Sequence, residues 1–233
     1  KASEPSEVHR PVPMDLITVR TYDAKGQPNG EVRILGLFTS NVYYQTTDSI
    51  PFLRHKVERT LERSGFDPVS YNGKALKAIL EFLPRDELFQ LPEDALFTLG
   101  MGVLSLESRP KVRLFTRLDA HERYVSCLVY VPRERFSTTL REQIERLMAR
   151  AYKGHSITFY TMVSDSPLAR LNLLIATTPG KVPSPDIESL EGEITALASE
   201  WHDALKTTFV DALGPERAES AMVRYRAAFP PSY

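Results

Sequence analysis

Tyr124-Val-Ser-Cys-Leu-Val-Tyr-Val-Pro-Arg-Glu-Arg-Phe136 is the stretch on which the fold turns. Residues 124–131 carry apolar or aromatic side chains at both odd and even positions. A strand of that kind is covered on both sides or lies central in its sheet. Pro132 has no N–H for a ladder and ends the strand. Ser137, Thr138 or Thr139 can cap a following helix, with Thr139 and Glu142 at capping-box spacing. That helix, 138–152, puts Leu140, Ile144, Leu147 and Ala151 on one face.

Outward from this point the pattern repeats. Lys111–Leu118 reads as the preceding strand, joined through a short turn at 119–122. Gly154 breaks the helix. Two further strands follow, Ile157–Val163 and Leu168–Thr177, joined at Asp165-Ser-Pro167. Ile187, Leu190, Ile194, Leu197, Trp201, Leu205 and Phe209 then recur at three- and four-residue spacing, which predicts one long amphipathic helix over 185–210. Gly214-Pro215 opens a shorter helix, and the end of the chain is Pro-rich. The order strand, strand, helix, strand, strand, helix predicts an α+β sandwich: a ferredoxin-like four-stranded sheet with both helices on one face.

The first half begins alike and continues differently. Residues 14–22 and 31–38 read as a hairpin around the turn-rich stretch 23–30. Helices follow: one from Pro51 to the stop at Gly65, a second from a cap at Asn72 to Pro84 with Leu76, Ile79, Leu80 and Leu83 on its face, and a third opened by Pro92 with Leu96, Leu99, Val103 and Leu106. Both hairpin turns begin Asp-Ala, at Asp23 and Asp119, a weak internal repeat. The first hairpin lacks a second pair of strands, so it reads as an incomplete unit. The expected divisions are a flexible tail over 1–12, the hairpin and helical region over 13–108, the α+β module over 109–210, and the start of a helical segment over 211–233.

Composition narrows the function. Of 233 residues, 42% are hydrophobic and 25% charged, as in an ordinary globular domain, and the net charge is −1. Such a balance argues against nucleic acid and anionic membrane surfaces as partners. There is no apolar run long enough to span a bilayer. Residues 1–13 lack the apolar core of a signal peptide. Lys1 is not a start residue, so the sequence reads as a piece of a longer polypeptide. The single cysteine, Cys127, sits in the apolar strand, where a thiol packs as a small hydrophobe, and one cysteine suits a reducing cytoplasm.

Catalytic signatures are missing. Gly100 and Gly102 mimic the opening of a dinucleotide fingerprint, but the third glycine and the preceding strand are absent. Two glycines inside an amphipathic helix point to close helix packing. The five histidines (9, 55, 121, 155, 202) are scattered without metal spacing. No serine has a nucleophile-elbow context. The carboxylates of Glu142 and Glu145 belong to a solvated helix face with Arg141 and Arg146. The expectation is no catalytic residue, no bound cofactor and no metal. One charged cluster differs: Arg133, Glu134 and Arg135 lie where a central strand meets a helix start, a place where N–H groups and Arg forks receive anions. Its counterpart in the first half is Thr39-Ser40-Asn41. Thr39, Ser40, Asn41, Arg133 and Arg135 are the candidate effector-binding residues.

Five strings extend the reading: GLFTSNVY (36–43), IPFLRHKVERTLERSGFDP (50–68), GKALKAILEFLPRDELFQ (73–90), KVRLFTRLD (111–119) and RYVSCLVYVPRERF (123–136). In them the chain resembles the large bacterial NAD-specific glutamate dehydrogenases, whose extended N-terminal portion carries ACT-like regulatory modules. The dehydrogenase domain of that family, with its nicotinamide site and catalytic lysine, lies downstream. The resemblance implies an ACT-like module over the second half, although ACT domains usually begin strand, helix. It implies a non-catalytic regulatory and assembly fragment of an NAD-dependent oxidoreductase of amino-acid catabolism. The partners implied are an amino-acid effector, the downstream catalytic domain of the same polypeptide, and further copies in a homo-oligomer. Allosteric coupling of ~1–3 kcal/mol is the usual scale of such control. The alternative is a structural oligomerisation scaffold without a ligand. An RNA-binding sandwich would need a basic, Gly-containing strand motif around its aromatics, and Tyr124 and Tyr130 have none.

Overall fold

The computed structural model describes residues 1–2, 6–8, 12–199 and 201–225, with the side chains at 201–204 and 207 outside that description. The described chain divides into two compact units, Lys1–Leu104 and Ser105–Tyr233.

Unit one opens with an antiparallel ribbon, β1 (Asp15–Tyr22) against β2 (Pro28–Gly36). The second strand starts three residues earlier than the turn residues predict. Asp23 closes the loop sooner, because its Oδ1 accepts the N–H groups of Lys25 at 2.8 Å and Gln27 at 2.9 Å. Gly26 takes φ +75° there. Pro28 therefore sits at the first position of an edge strand, where a missing donor costs little. Short α1 (Ser40–Tyr44) leads on to α2 (Pro51–Ser64), which begins with Pro51 and ends at Gly65 in the left-handed region. α3 (Tyr71–Phe82) is capped by Ser70, whose Oγ accepts from the Gly73 N–H, two residues earlier than the expected Asn72 cap. α4 (Arg85–Gln90) is a helix the periodicity did not predict, and α5 (Glu93–Ser108) follows.

The core of this unit follows the predicted faces of α3 and α5, but in α2 Leu53 is buried where the Phe52-Val57-Leu61 spacing points to Phe52, which is exposed, and α4 adds Leu88. Leu53, Val57, Leu76, Ile79, Leu80, Leu83, Leu88, Leu96, Leu99 and Val103 are buried. Gly100 explains the dinucleotide mimic. A Cβ there would stand 3.0 Å from Leu76 Cδ1 and 3.3 Å from Leu80 Cδ2, so the glycine lets α5 approach α3.

Unit two is the expected α+β module. β3 (Arg113–Leu118), β4 (Tyr124–Pro132), α6 (Thr138–Ala151), β5 (Ser156–Val163), β6 (Leu168–Ala176) and α7 (Ile187–Ala198) run in the predicted order. The sheet is antiparallel in the order β3-β4-β6-β5, which makes β4 a central strand. Val125, Cys127, Val129 and Val131 of β4 share one face with Leu171, Leu173 and Ile175 of β6. Leu140, Ile144, Leu147 and Met148 of α6 and Leu190 and Ile194 of α7 pack on that face. Both helices thus lie on one side of the sheet. The cap of α6 is Ser137, whose Oγ accepts the Leu140 N–H at 3.1 Å, so the Thr139–Glu142 box does not form.

The long helix expected over 185–210 is two. α7 ends at Ser199, which is extended (φ −76°, ψ 133°), and α8 runs Trp201–Leu213. Ser199 donates its hydroxyl to the Thr195 carbonyl at 2.8 Å, a local bond that competes with helix continuation. Side chains of Trp201 and His202, placed by periodicity on the apolar face and the surface, lie outside the described residues, as does the Pro-containing end over 226–233. α9 (Pro215–Tyr225) starts at Pro215 after Gly214 with φ +76°, as the Gly-Pro pair predicts.

Candidate functional site

Each candidate junction forms where a strand hands over to a helix. In unit two, Pro132 ends β4, and Arg133–Arg135 coil into a single 3-10 turn before Ser137 caps α6. Arg133 is exposed, yet its polar groups are used. Its N–H donates to the Pro167 carbonyl at 2.8 Å, and its guanidinium Nη1 donates to the Ser164 carbonyl at 2.9 Å. Arg133 therefore fastens the β5–β6 turn to the end of β4. Glu134 is exposed and Arg135 half-buried. Behind the turn, Arg141 pairs with Glu145 and lies 4.2 Å from the centre of the Phe159 ring.

In unit one, Thr39 is extended (φ −69°, ψ 161°) at the start of α1, and its hydroxyl makes no cap bond. Thr39, Ser40 and Asn41 are all exposed. Asn41 contributes its carbonyl to the Gln45 N–H at 2.9 Å. The segment is anchored just ahead by Phe38, whose ring stacks on Phe89 with centroids 4.7 Å apart. The five candidate residues thus form two groups, one in each unit: Thr39, Ser40 and Asn41 in one short helical turn, Arg133 and Arg135 in one 3-10 turn.

Residues that periodicity passed over carry more of the electrostatics. Glu81 accepts the N–H and hydroxyl of Thr47 and pairs with Arg85 at 2.6 Å. Burial alone would raise its carboxyl, but these donors outweigh it and hold it below the usual range. Asp119 follows the same logic, with burial opposed by Arg123 at 2.7 Å and by the His121 and Arg123 N–H groups, and its carboxyl is held low. Lys56 is buried against the Leu88 carbonyl at 2.7 Å, and that burial pushes its ammonium below its ordinary value.

The sheet face opposite α6 and α7 is polar in part. Register places Ser126, Tyr130, Arg170 and Asn172 together there. Burial raises the Tyr130 phenol, which hydrogen-bonds Arg170. Ser126 Oγ and Asn172 Oδ1 are buried without a hydrogen-bond partner. A strand read as apolar on both faces hid this set; the signals were Ser126 in β4 and the alternating polar pair Arg170 and Asn172 in β6. Among the described residues no cluster of His, Cys, Asp and Glu is arranged to hold a metal ion, and no helix is long and apolar enough to cross a membrane.

Comparison with known proteins assigns the family. Residues 113–202, the β3–α7 module and the start of α8, match a family model described as the ACT2 domain of glutamate dehydrogenase. Residues 50–109, the α2–α5 region, match one described as helical motif 1 of glutamate dehydrogenase. An NAD-specific glutamate dehydrogenase from Pseudomonas aeruginosa is 37% identical over 233 residues, 100% of this chain. The chain belongs to the NAD-specific glutamate dehydrogenase family. The relative from Halomonas elongata is 38% identical over the same 233 residues, and that from Mycobacterium tuberculosis 31% over 215 residues, 87% of this chain. The chain spans 14% of the length of the first two glutamate dehydrogenases and 13% of the third. It resembles their N-terminal region. The α+β plan of unit two is the ACT-like fold that this membership implies.

Proposed function

We propose that this chain is a non-catalytic regulatory and assembly segment of an NAD-specific glutamate dehydrogenase. The whole enzyme would convert L-glutamate, NAD and water to 2-oxoglutarate, ammonia and NADH, with NAD bound in a catalytic domain of the same polypeptide. The observation that carries this reading is the coincidence of the ββαββα module with the ACT2 match over 113–202. In that role the chain works in the cytoplasm, within a homo-oligomer, and senses an amino-acid effector through the strand-to-helix junctions at Thr39–Asn41 and Arg133–Arg135. Such junctions offer N–H groups and, at the second, cationic forks for a carboxylate.

A second reading, a scaffold that binds no small molecule, draws support from Arg133, whose guanidinium already serves the Ser164 carbonyl. Calorimetric titration of the chain with a panel of free amino acids, NADH serving as negative control, separates the two. Saturable heat from one amino acid, weakened by Asn41→Ala or Arg135→Ala, supports effector sensing. Silence throughout favours the scaffold. Steady NADH production from glutamate by this chain alone would overturn both readings.

A further inference from the structure

The face of the β3-β4-β6-β5 sheet turned away from α6 and α7 has a polar centre. Register sets Tyr130 beside Arg170, Asn172 beside Tyr160, and Ser126 beside Arg117. No position of the four strands on this side carries a carboxylate. Ser126 is 2% exposed and Asn172 7%, and neither Ser126 Oγ nor Asn172 Oδ1 has a hydrogen-bond partner. An amide oxygen can only accept, so Asn172 Oδ1 needs a donor. Leaving such a group unpaired in an interior costs stability, whereas an apolar side chain of similar shape in its place does not. Two of them stand together here, diagonal neighbours on adjacent strands with Cα atoms about 7–8 Å apart.

Arg170 stands on the same side of β6 two residues before Asn172, about 7 Å along the strand, and is hydrogen-bonded to the Tyr130 phenol. A guanidinium attracts an anion, and the two unpaired oxygens call for N–H donors. A ligand that answers both carries an anion and an N–H donor within a few atoms, which is the chemistry of a free α-amino acid. We propose that Ser126, Asn172 and Arg170 form a site for one free amino acid on this sheet face. Its ammonium donates to Asn172 Oδ1 and Ser126 Oγ, and its carboxylate faces Arg170. Entry is from the β5 side, where Tyr160 is 61% exposed and free to change rotamer. The assignment rests on the effector reading for the class of ligand and places the ligand away from both Thr39–Asn41 and Arg133–Arg135. All three residues belong to one sheet of unit two, so this chain holds the whole site.

Calorimetric titration of wild type and four variants with the free L-amino acids, one at a time, tests it. One amino acid gives saturable heat with wild type. Asn172→Leu and Ser126→Ala each raise its Kd about tenfold or more, while Asn41→Ala and Arg133→Ala leave it unchanged. The same acid with hydrogen in place of its amino group binds about tenfold or more weakly to wild type, since Asn172 Oδ1 then meets no donor. Thermal melts of Asn172→Leu and Ser126→Ala no lower than wild type show that the loss of binding is not a loss of fold. Heat that both of these variants leave unchanged overturns the site and leaves the effector reading standing, as does equal binding of the acid without its amino group. Silence from every amino acid overturns the site and the effector reading together.

Discussion

Two hairpins in this molecule share their local design and differ in nearly everything else. Asp23 and Asp119 each start a turn in which the carboxylate accepts N–H groups two and four residues on. Each turn has a residue with positive φ at its fourth position, Gly26 at 75° and Glu122 at 55°. The shared Asp-Ala dipeptide is therefore the visible part of a shared backbone turn. Beyond it the two diverge. β4 is buried along almost its whole length between β3 and β6, whereas β1 and β2 expose their apolar side chains. A hairpin's sequence specifies its turn and register, but its stability comes from the layer placed on it.

Substitutions can break or sharpen that contrast. The largest effect is expected for Leu173→Ala on β6, a fully buried side chain in the second sheet, which should lower stability by about 4 kcal/mol in a denaturant melt. Asp119→Ala should cost about 2 kcal/mol, since it removes the buried carboxylate that accepts from the Arg123 guanidinium and from the His121 and Arg123 N–H groups. The matching Asp23→Ala, at an exposed turn, should cost below about 1 kcal/mol.

That pair also has a pH signature. The Asp119 carboxyl is lowered on folding, so its contribution is complete above the unfolded value of about 3.9 and is lost as pH falls through the lower folded value. Melts of wild type and Asp119→Ala should converge towards strong acid. A gap that persists there would mean that Asp119 acts through packing and not through its charge.

Smaller effects refine the picture. Ser137→Ala removes the cap of α6 and should cost about 1 kcal/mol, whereas Thr139→Ala should change little, because the cap is Ser137 alone. Ile34→Ala on the bare ribbon should shift the stability of this chain by below about 0.5 kcal/mol. A loss near that of Leu173→Ala would show that the ribbon face is already covered.

Most elements were legible because each has a local cause. Pro51 and Gly65 bracket α2, Gly214 and Pro215 open α9, and Leu140, Ile144 and Leu147 face the sheet as their spacing requires. What was misread lies where several local solutions compete. Ser70 took the cap instead of Asn72, and Ser199 bonded back to Thr195 where periodicity carries the pattern through, while among the three residues offered for the α6 cap Ser137 took it without a capping box. At the candidate site, sequence located both junctions but not the use of Arg133. The Ser164 carbonyl that it holds is 31 residues away and reaches it only through the β4–β6 pairing.

The sequence by itself determined the order of elements, the family, the apolar faces and the turn aspartates, all of which depend on contacts within a few residues or on direct resemblance. Tertiary structure decided the rest: that β4 is central, that Arg133 serves the Ser164 carbonyl, and that one hairpin is buried and the other bare. Those outcomes depend on residues far apart in the chain, and short-range preference carries no information about which distant group will be there to meet them.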